Sequence, residues 1–152
     1  MKFQTKKIDE FTADTAICYI FEDAKIKSEL FEHLNKLSNG ELNKQIEYKI
    51  VSGKFLETFK FAISDNLKVL LIGLGKFNEL TRKKFSQATA TAARCAKTMS
   101  KNSSVAIELI ENTNCCDLAD FDKKDCAFLA ITALRIGLYD FDKYLTIKKP
   151  KI

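Results

Sequence analysis

The strongest structural signal in this sequence is KVLLIGLGKFNELTRKKFSQATATAARCAK, residues 68–97. Its first seven residues are the most continuous apolar run in the chain, which predicts a central strand covered on both faces. The run ends in a turn that contains Gly73 and Gly75. Beyond that turn, apolar residues recur at the three-and-four spacing of one helix face. These residues are Phe85, Ala88, Ala92, Cys95 and Met99.

A second apolar segment, residues 104–110, follows this helix and places Val105, Ile107 and Leu109 on one face of a strand. A strand, a helix and another strand in succession are typical of a parallel βαβ unit. The sequence therefore predicts an α/β sandwich with a mixed sheet.

The region before residue 68 continues the same alternation. Residues 15–21, TAICYIF, are apolar on both faces and predict an interior strand. A helix stripe follows, ends near Asn39 and Gly40, and leaves residues 41–53 as a possible short second helix. Residues 55–64 alternate apolar and polar side chains, which predicts a strand near the edge of the sheet. The helix stripe consists of Ile26, Leu30, Leu34 and Leu37.

Two features concern the later helices. Asn78 is predicted to cap the helix that follows residue 74, and Asp122 the last helix. That last helix, CAFLAITALRIGL at residues 126–138, is apolar nearly all round. A helix of this kind must be covered on more than one side, so we expect it to contact something beyond its own sheet.

Composition limits the class of protein. The chain has 152 residues, 46% of them hydrophobic and 30% charged, which suits one packed domain. Its apolar runs are too short for a membrane span, and the N-terminus lacks the apolar core of a secretory signal. We therefore expect a cytoplasmic protein without membrane contact. The cysteines are odd in number and lack CxxC spacing, which predicts reduced thiols packed as small apolar side chains. They are Cys18, Cys95, Cys115, Cys116 and Cys126.

The residues offer little recognisable chemistry. The one histidine, His33, falls at the edge of its helix stripe without a catalytic partner. No catalytic residue and no metal ligand is predicted. Gly73 and Gly75 could hold a phosphate with bare amides, but the string GLGKFN lacks the third glycine of GxGxxG, so a tight turn is the competing interpretation. The net charge of +5 lies mostly in the second half and forms no continuous basic stripe. Solvent-exposed surface charge explains these basic residues as well as nucleic-acid contact does.

A family resemblance rests on two segments. Residues 69–97 and the segment ALRIGLYDFDKYLTIKK at residues 133–149 resemble the N-terminal domain of the leucyl aminopeptidases, also called cytosol aminopeptidases, of peptidase family M17. The order and spacing of the segments also fit. One departure is Leu145, where the family usually has a lysine after the tyrosine; it affects only a linker position.

The resemblance implies a fold and a role. It implies a three-layer, macro-domain-like sandwich with a mixed, mostly parallel sheet between helices. Residues 1–142 would form this domain, and residues 143–152 would begin the linker to an absent C-terminal catalytic domain. The parent would be a metalloprotease with two divalent metals, zinc or manganese, that releases N-terminal residues from peptides. This fragment would hold no cofactor and hydrolyse nothing by itself.

The implied partners are the chain's own catalytic domain and the neighbouring subunits of a homohexamer, so that the domain would support assembly and shape access to the active site. Two alternatives remain open at this point. One is a nucleotide or ADP-ribose binding module that uses Gly73 and Gly75. The other is a domain that contacts nucleic acid.

Overall fold

A computed structural model of the chain describes residues 13–23, 29–99, 104–108 and 123–138. The strands are β1 (Thr15–Ile20), β2 (Thr58–Ser64), β3 (Leu67–Gly73) and β4 (Val105–Ile107), and the helices are α1 (Glu29–Leu37), α2 (Glu41–Glu47), α3 (Arg82–Met99) and α4 (Lys123–Leu138). A short 3-10 turn (Phe77–Glu79) precedes α3. None of the helices in these ranges is long and apolar enough to cross a membrane.

The described strands form one mixed sheet in the order β2-β3-β1-β4. Strand β1 pairs in parallel with β3 and with β4, while β2 pairs antiparallel with β3. Thr15 is aligned with Lys68 on one side and with Val105 on the other. The connection through α3 therefore joins two parallel strands that flank β1, as the βαβ pattern predicted. The expected α/β class with a mixed, mostly parallel sheet is confirmed.

Strand β1 lies at the centre of the molecule, and all six of its residues are buried. Because side chains alternate along a strand, its two faces contribute to two different apolar clusters. Ile17 and Tyr19 pack with α3 in one cluster, while Cys18 and Ile20 pack with α1 and α2 in the other. Helices therefore cover both faces of the sheet, in a three-layer sandwich.

Helix α3 uses two faces made largely of small residues. Phe85 and several alanines turn toward the sheet. A second face receives α4, where a Cβ added to Gly137 would lie 2.5 Å from the carbonyl oxygen of Ala90 and 3.0 Å from the Cβ of Ala93. Since only glycine permits that approach, α4 packs closely on α3. Ala130 of α4 reaches the same core cluster.

The structure corrects two local predictions. The Oγ1 atom of Thr81 accepts the backbone N–H of Lys84 at 3.1 Å, so Thr81 caps α3 and the predicted cap Asn78 is wrong. Asn78 instead lies in the 3-10 turn, which separates it from α3. Leu37, which was predicted to face the core, is 47% exposed because it lies in the last turn of α1. Phe31 occupies the core position that was expected of Leu37.

Other predictions are confirmed, and some concern residues that the structure does not describe. Asn39 and Gly40 have φ values of 57° and 83°, the left-handed conformation expected where α1 ends. The short second helix is α2, and β2 lies at one end of the described sheet. Ile26, Leu109, Cys115, Cys116, the proposed cap Asp122 and the linker 143–152 with Leu145 lie outside the described residues.

Candidate functional site

The two glycines singled out as a phosphate loop lie at the carboxyl end of β3. The N–H of Gly73 donates to the carbonyl of Glu57 at 2.8 Å, and the N–H of Gly75 donates to the carbonyl of Gly53 at 3.0 Å. Between them, the N–H of Leu74 donates to a carbonyl of β1 at 2.8 Å. These three amides are therefore engaged by the chain itself, and an anion would have to displace backbone carbonyls to reach them.

Close backbone approach explains why glycine occupies these positions. A Cβ on Gly73 would lie 1.9 Å from the carbonyl oxygen of Lys54, and one on Gly53 would lie 2.5 Å from that of Phe21. Gly53 and Gly75 also have φ values near +80°, which L side chains rarely adopt. The geometry matches the tight-turn interpretation, because the space beside the glycines is filled by residues 53–57.

Residues 52–57 form a loop, called the 52–57 loop below, that is closed by its own hydrogen bonds. The carboxylate of Glu57 accepts the backbone N–H of Ser52 at 2.9 Å and also the hydroxyl of that serine. The N–H of Glu57 donates to the carbonyl of Lys54, and that of Leu56 to Gly73. This loop was not predicted from the sequence, because residues that hydrogen-bond across a loop have no fixed spacing. Gly53 was the one sequence signal for it.

A buried carboxylate is the second feature that sequence reasoning missed. Glu108 follows β4 directly and is only 9% exposed. Its Oε1 atom accepts the backbone N–H of Tyr19 at 2.7 Å. The parallel ladder between β1 and β4 ends at the pair of Ile17 and Ile107, so the Glu108 side chain supplies an acceptor where the backbone pairing stops. An acidic residue directly after an apolar strand was the available signal.

Tyr19 connects this carboxylate to α3. Its hydroxyl lies 2.7 Å from the Oγ1 atom of Thr89, and its ring centroid is 5.2 Å from that of Phe85. Both polar ends of Tyr19 are thus satisfied inside the core, as buried polar groups require. The arrangement holds the central strand against α3 on one side and against the end of β4 on the other.

Cys18 is a free, buried thiol beside this carboxylate, in the apolar setting that its sequence context predicted. Burial raises the pKa of the Cys18 thiol well above its ordinary value of 9.0, and the negative charge of Glu108 raises it further. Cys95 is also free and is half-buried on α3. Since the thiolate is the nucleophile, Cys18 is chemically inert in the folded chain.

The Cys18 pKa predicts how stability depends on pH. Above pH 9.0 the unfolded chain loses the thiol proton while the folded chain keeps it, so stability falls as pH rises. Between pH 8 and pH 10 this lowers the free energy of unfolding by on the order of 1 kcal/mol, a decrease that the Cys18→Ala variant lacks. Urea unfolding of both proteins at the two pH values, under reducing conditions, measures the difference. Equal pH dependence in the two proteins contradicts the buried, protonated thiol.

No set of metal ligands is assembled in the part of the chain that the structure describes. Within it, no three His, Cys, Asp or Glu side chains lie close enough together to hold an ion. His33 lies half-buried on α1.

An open groove lies between α3 and α4, with a volume of about 430 Å³. Leu56 from the 52–57 loop and Ile136 from α4 line it, together with the exposed Arg94 of α3. Its remaining lining is small or uncharged: Ser86, Gln87, Ala90, Thr91, Thr132 and Ala133. The groove combines apolar side chains with one cation.

Comparison with known proteins gives a consistent result. Residues 17–148 match the family described as "Cytosol aminopeptidase family, N-terminal domain". The probable cytosol aminopeptidase of Sulfurihydrogenibium sp. is 31% identical over 148 residues, which cover 95% of this chain and 28% of that protein. This chain thus spans little more than a quarter of the length of that relative.

Solved structures show the same fold. A tomato leucine aminopeptidase mutant matches with a TM-score of 0.68 and 19% identity, over 96% of this chain and 29% of that chain. The bottromycin maturation enzyme BotP matches with a TM-score of 0.56 and 15% identity, over 90% of this chain and 25% of that chain. The family match extends over most of the sequence, and the chain belongs to the cytosol aminopeptidase family, in which it corresponds to the N-terminal domain.

Proposed function

We propose that this chain is the non-catalytic N-terminal domain of a metal-dependent aminopeptidase that releases N-terminal amino acids from peptides. The match of residues 17–148 to the family's N-terminal domain carries the proposal. One further observation supports it: the chain spans 28% of the length of its curated relative.

The proposal includes an architecture for the full-length protein. Residues 1–142 form the domain, and residues 143–152 begin the linker to a catalytic portion. That portion binds two divalent metals, zinc or manganese. We further propose a cytoplasmic homohexamer in which this domain supports assembly and shapes access to the active site. The name of the curated relative supports the location, and exposed apolar side chains on α4 support a contact with another part of the assembly.

Activity assays test the proposal. The purified 152-residue chain, supplied with excess Zn²⁺ or Mn²⁺, is expected to release no product from leucine p-nitroanilide above the buffer rate. The full-length protein is expected to hydrolyse it and to lose this activity with a chelator, because the proposed reaction would require divalent metals bound by the catalytic portion. Circular dichroism verifies that the short chain is folded in the same buffer. Metal-dependent turnover that co-purifies with the 152-residue chain contradicts the proposal.

The nucleotide-binding alternative has less structural support, because the amides of Gly73 and Gly75 already donate to the carbonyls of Glu57 and Gly53, respectively. Calorimetry with ADP-ribose separates the two interpretations. We expect no saturable heat at micromolar concentrations. Saturable binding of ADP-ribose that is abolished by excess ADP as a competitor would favour the nucleotide-binding module.

A further inference from the structure

The charges of helix α3 are all of one sign. It contains five basic residues and no acidic one. One of them, the exposed Arg94, lines the groove between α3 and α4. The α3 side of the groove is therefore a cationic side.

Exposed apolar side chains lie next to this cationic side. Phe128 and Ile136 of α4 are 71% and 61% exposed. They are eight residues apart, which separates them by about 12 Å along the helix axis and by about 80° around it. Leu56, 39% exposed, lines the groove together with Ile136 and Arg94. These four residues, Leu56, Arg94, Phe128 and Ile136, are called the α3–α4 face below.

The backbone of Leu56 adds an independent observation. Its φ of +67° is a left-handed conformation that disfavours a branched side chain by about 1 kcal/mol or more. The hydrogen bond from its N–H to Gly73, at 3.0 Å, holds the residue in place within the closed 52–57 loop. The fold thus keeps a partly exposed leucine at the rim of the groove at a conformational cost, and such strain is concentrated where chains bind or react.

We propose that the α3–α4 face docks a polypeptide surface with an apolar centre and an acidic rim, and that this surface belongs to the part of the full-length protein beyond these 152 residues. The inference rests on the proposed function, and it adds the face and the chemistry of the partner. Charge complementarity selects the occupant, since opposite potentials favour association.

Two other occupants fit the same observations less well. A second copy of this chain would place one cationic side against another. A nucleic acid would neutralise the cations through its phosphates but would leave Phe128 and Ile136 without an apolar partner. An acidic protein surface with an apolar centre satisfies both the charges and the exposed side chains.

Hydroxyl-radical footprinting tests the proposal without any substitution. The 152-residue chain and the full-length, metal-loaded protein are oxidised under identical conditions, and modification is quantified residue by residue. We expect Phe128 and Ile136 to react at least about five times more slowly in the full-length protein, because contact with the partner removes them from solvent. Tyr48 and Ile50, 70% and 57% exposed at the end of α2, are matched controls and are expected to react equally in both.

A charge reversal tests the electrostatic part. In the full-length protein, Arg94→Glu is expected to restore most of the reactivity of Phe128, and about 0.5 M salt is expected to do so in part, because both weaken attraction to an acidic rim. Lys49→Glu, at an exposed lysine between the two control residues, is expected to leave the footprint unchanged. If Phe128 stays protected both in the Arg94→Glu variant and at high salt, the partner surface is not acidic.

The remaining outcomes separate the docking face from the proposed function. If the full-length protein hydrolyses leucine p-nitroanilide but Phe128 reacts equally in both chains, the face is wrong and the proposed function stands. If a folded full-length protein is inactive in excess Zn²⁺ and Mn²⁺, or the gene ends with Ile152, both fail. Protection of Phe128 that grows with the concentration of the 152-residue chain identifies a second copy. Protection by a DNA duplex alone identifies nucleic acid, and either result overturns the proposal.

Discussion

Replacing Gly73 with alanine is expected to lower the free energy of unfolding by about 4 kcal/mol or more, at the upper end of single-residue effects. The added Cβ would lie 1.9 Å from the carbonyl oxygen of Lys54 and 2.8 Å from the carbonyl group of Gly53. Both neighbours are backbone atoms in a loop closed by hydrogen bonds, so neither can move aside cheaply. Relief of the contact requires the 52–57 loop to leave β3, which also breaks the bond from the Gly73 N–H to Glu57.

Gly40→Ala is the matched control for this experiment. Gly40 has a φ of +83°, but a Cβ there would meet no atom within 4 Å. Its replacement therefore tests the left-handed backbone alone and is expected to lower stability by about 1 to 2 kcal/mol. Urea unfolding of both variants measures the difference. A Gly73→Ala variant as stable as Gly40→Ala would show that the 52–57 loop does not press against β3, and would return the glycine-rich turn to the candidates for ligand binding.

Phe85→Ala is the second substitution with a large expected effect, a loss of about 3 to 5 kcal/mol in the free energy of unfolding. Phe85 is fully buried between α3 and the sheet, and its ring centroid lies 5.2 Å from that of Tyr19. Truncation leaves a cavity beside the central strand. It also removes the ring that packs against Tyr19, whose hydroxyl bonds to Thr89 and whose N–H donates to Glu108.

Phe128→Ala makes the same chemical change on the outside of the molecule. Because Phe128 is 71% exposed, its truncation in the 152-residue chain is expected to alter stability by less than about 0.5 kcal/mol. Thermal or urea unfolding of the two variants side by side provides the comparison. A loss at Phe128 comparable to the loss at Phe85 would mean that α4 is covered within this chain, which would also count against the α3–α4 face as a docking surface.

Much of the fold was predictable because it depends on local pattern. The continuous apolar runs of β1 and β3 indicated buried strands, and the spacing of Phe85, Ala88 and Ala92 indicated the face of α3 that meets the sheet. Burial follows from the hydrophobic effect acting on a known period, so the sequence suffices for it. The cap of α3 was less predictable, because Thr81 and Asn78 are both good capping residues and the 3-10 turn between them decided which one is used.

The candidate site shows the opposite case. From the sequence, Gly73 and Gly75 were compatible with a phosphate loop or with a tight turn, since both uses require a residue without a side chain. The choice depends on the 52–57 loop, whose carbonyls reach the two amides from about 20 residues away along the chain. Glu108 was likewise invisible as a partner of Tyr19, because 89 residues separate the two groups that bond.

The sequence by itself determined the class of fold, the central strands and the family to which the chain belongs, because periodicity and family motifs are properties of neighbouring residues. Only the tertiary structure decided that the glycine amides are occupied, that Glu108 completes the pairing of β1, and that Leu56, Arg94 and Ile136 line one groove. These facts depend on which distant segments meet, and the free energy of such contacts arises from burial and hydrogen bonds that form only when the whole sheet and its helices are assembled.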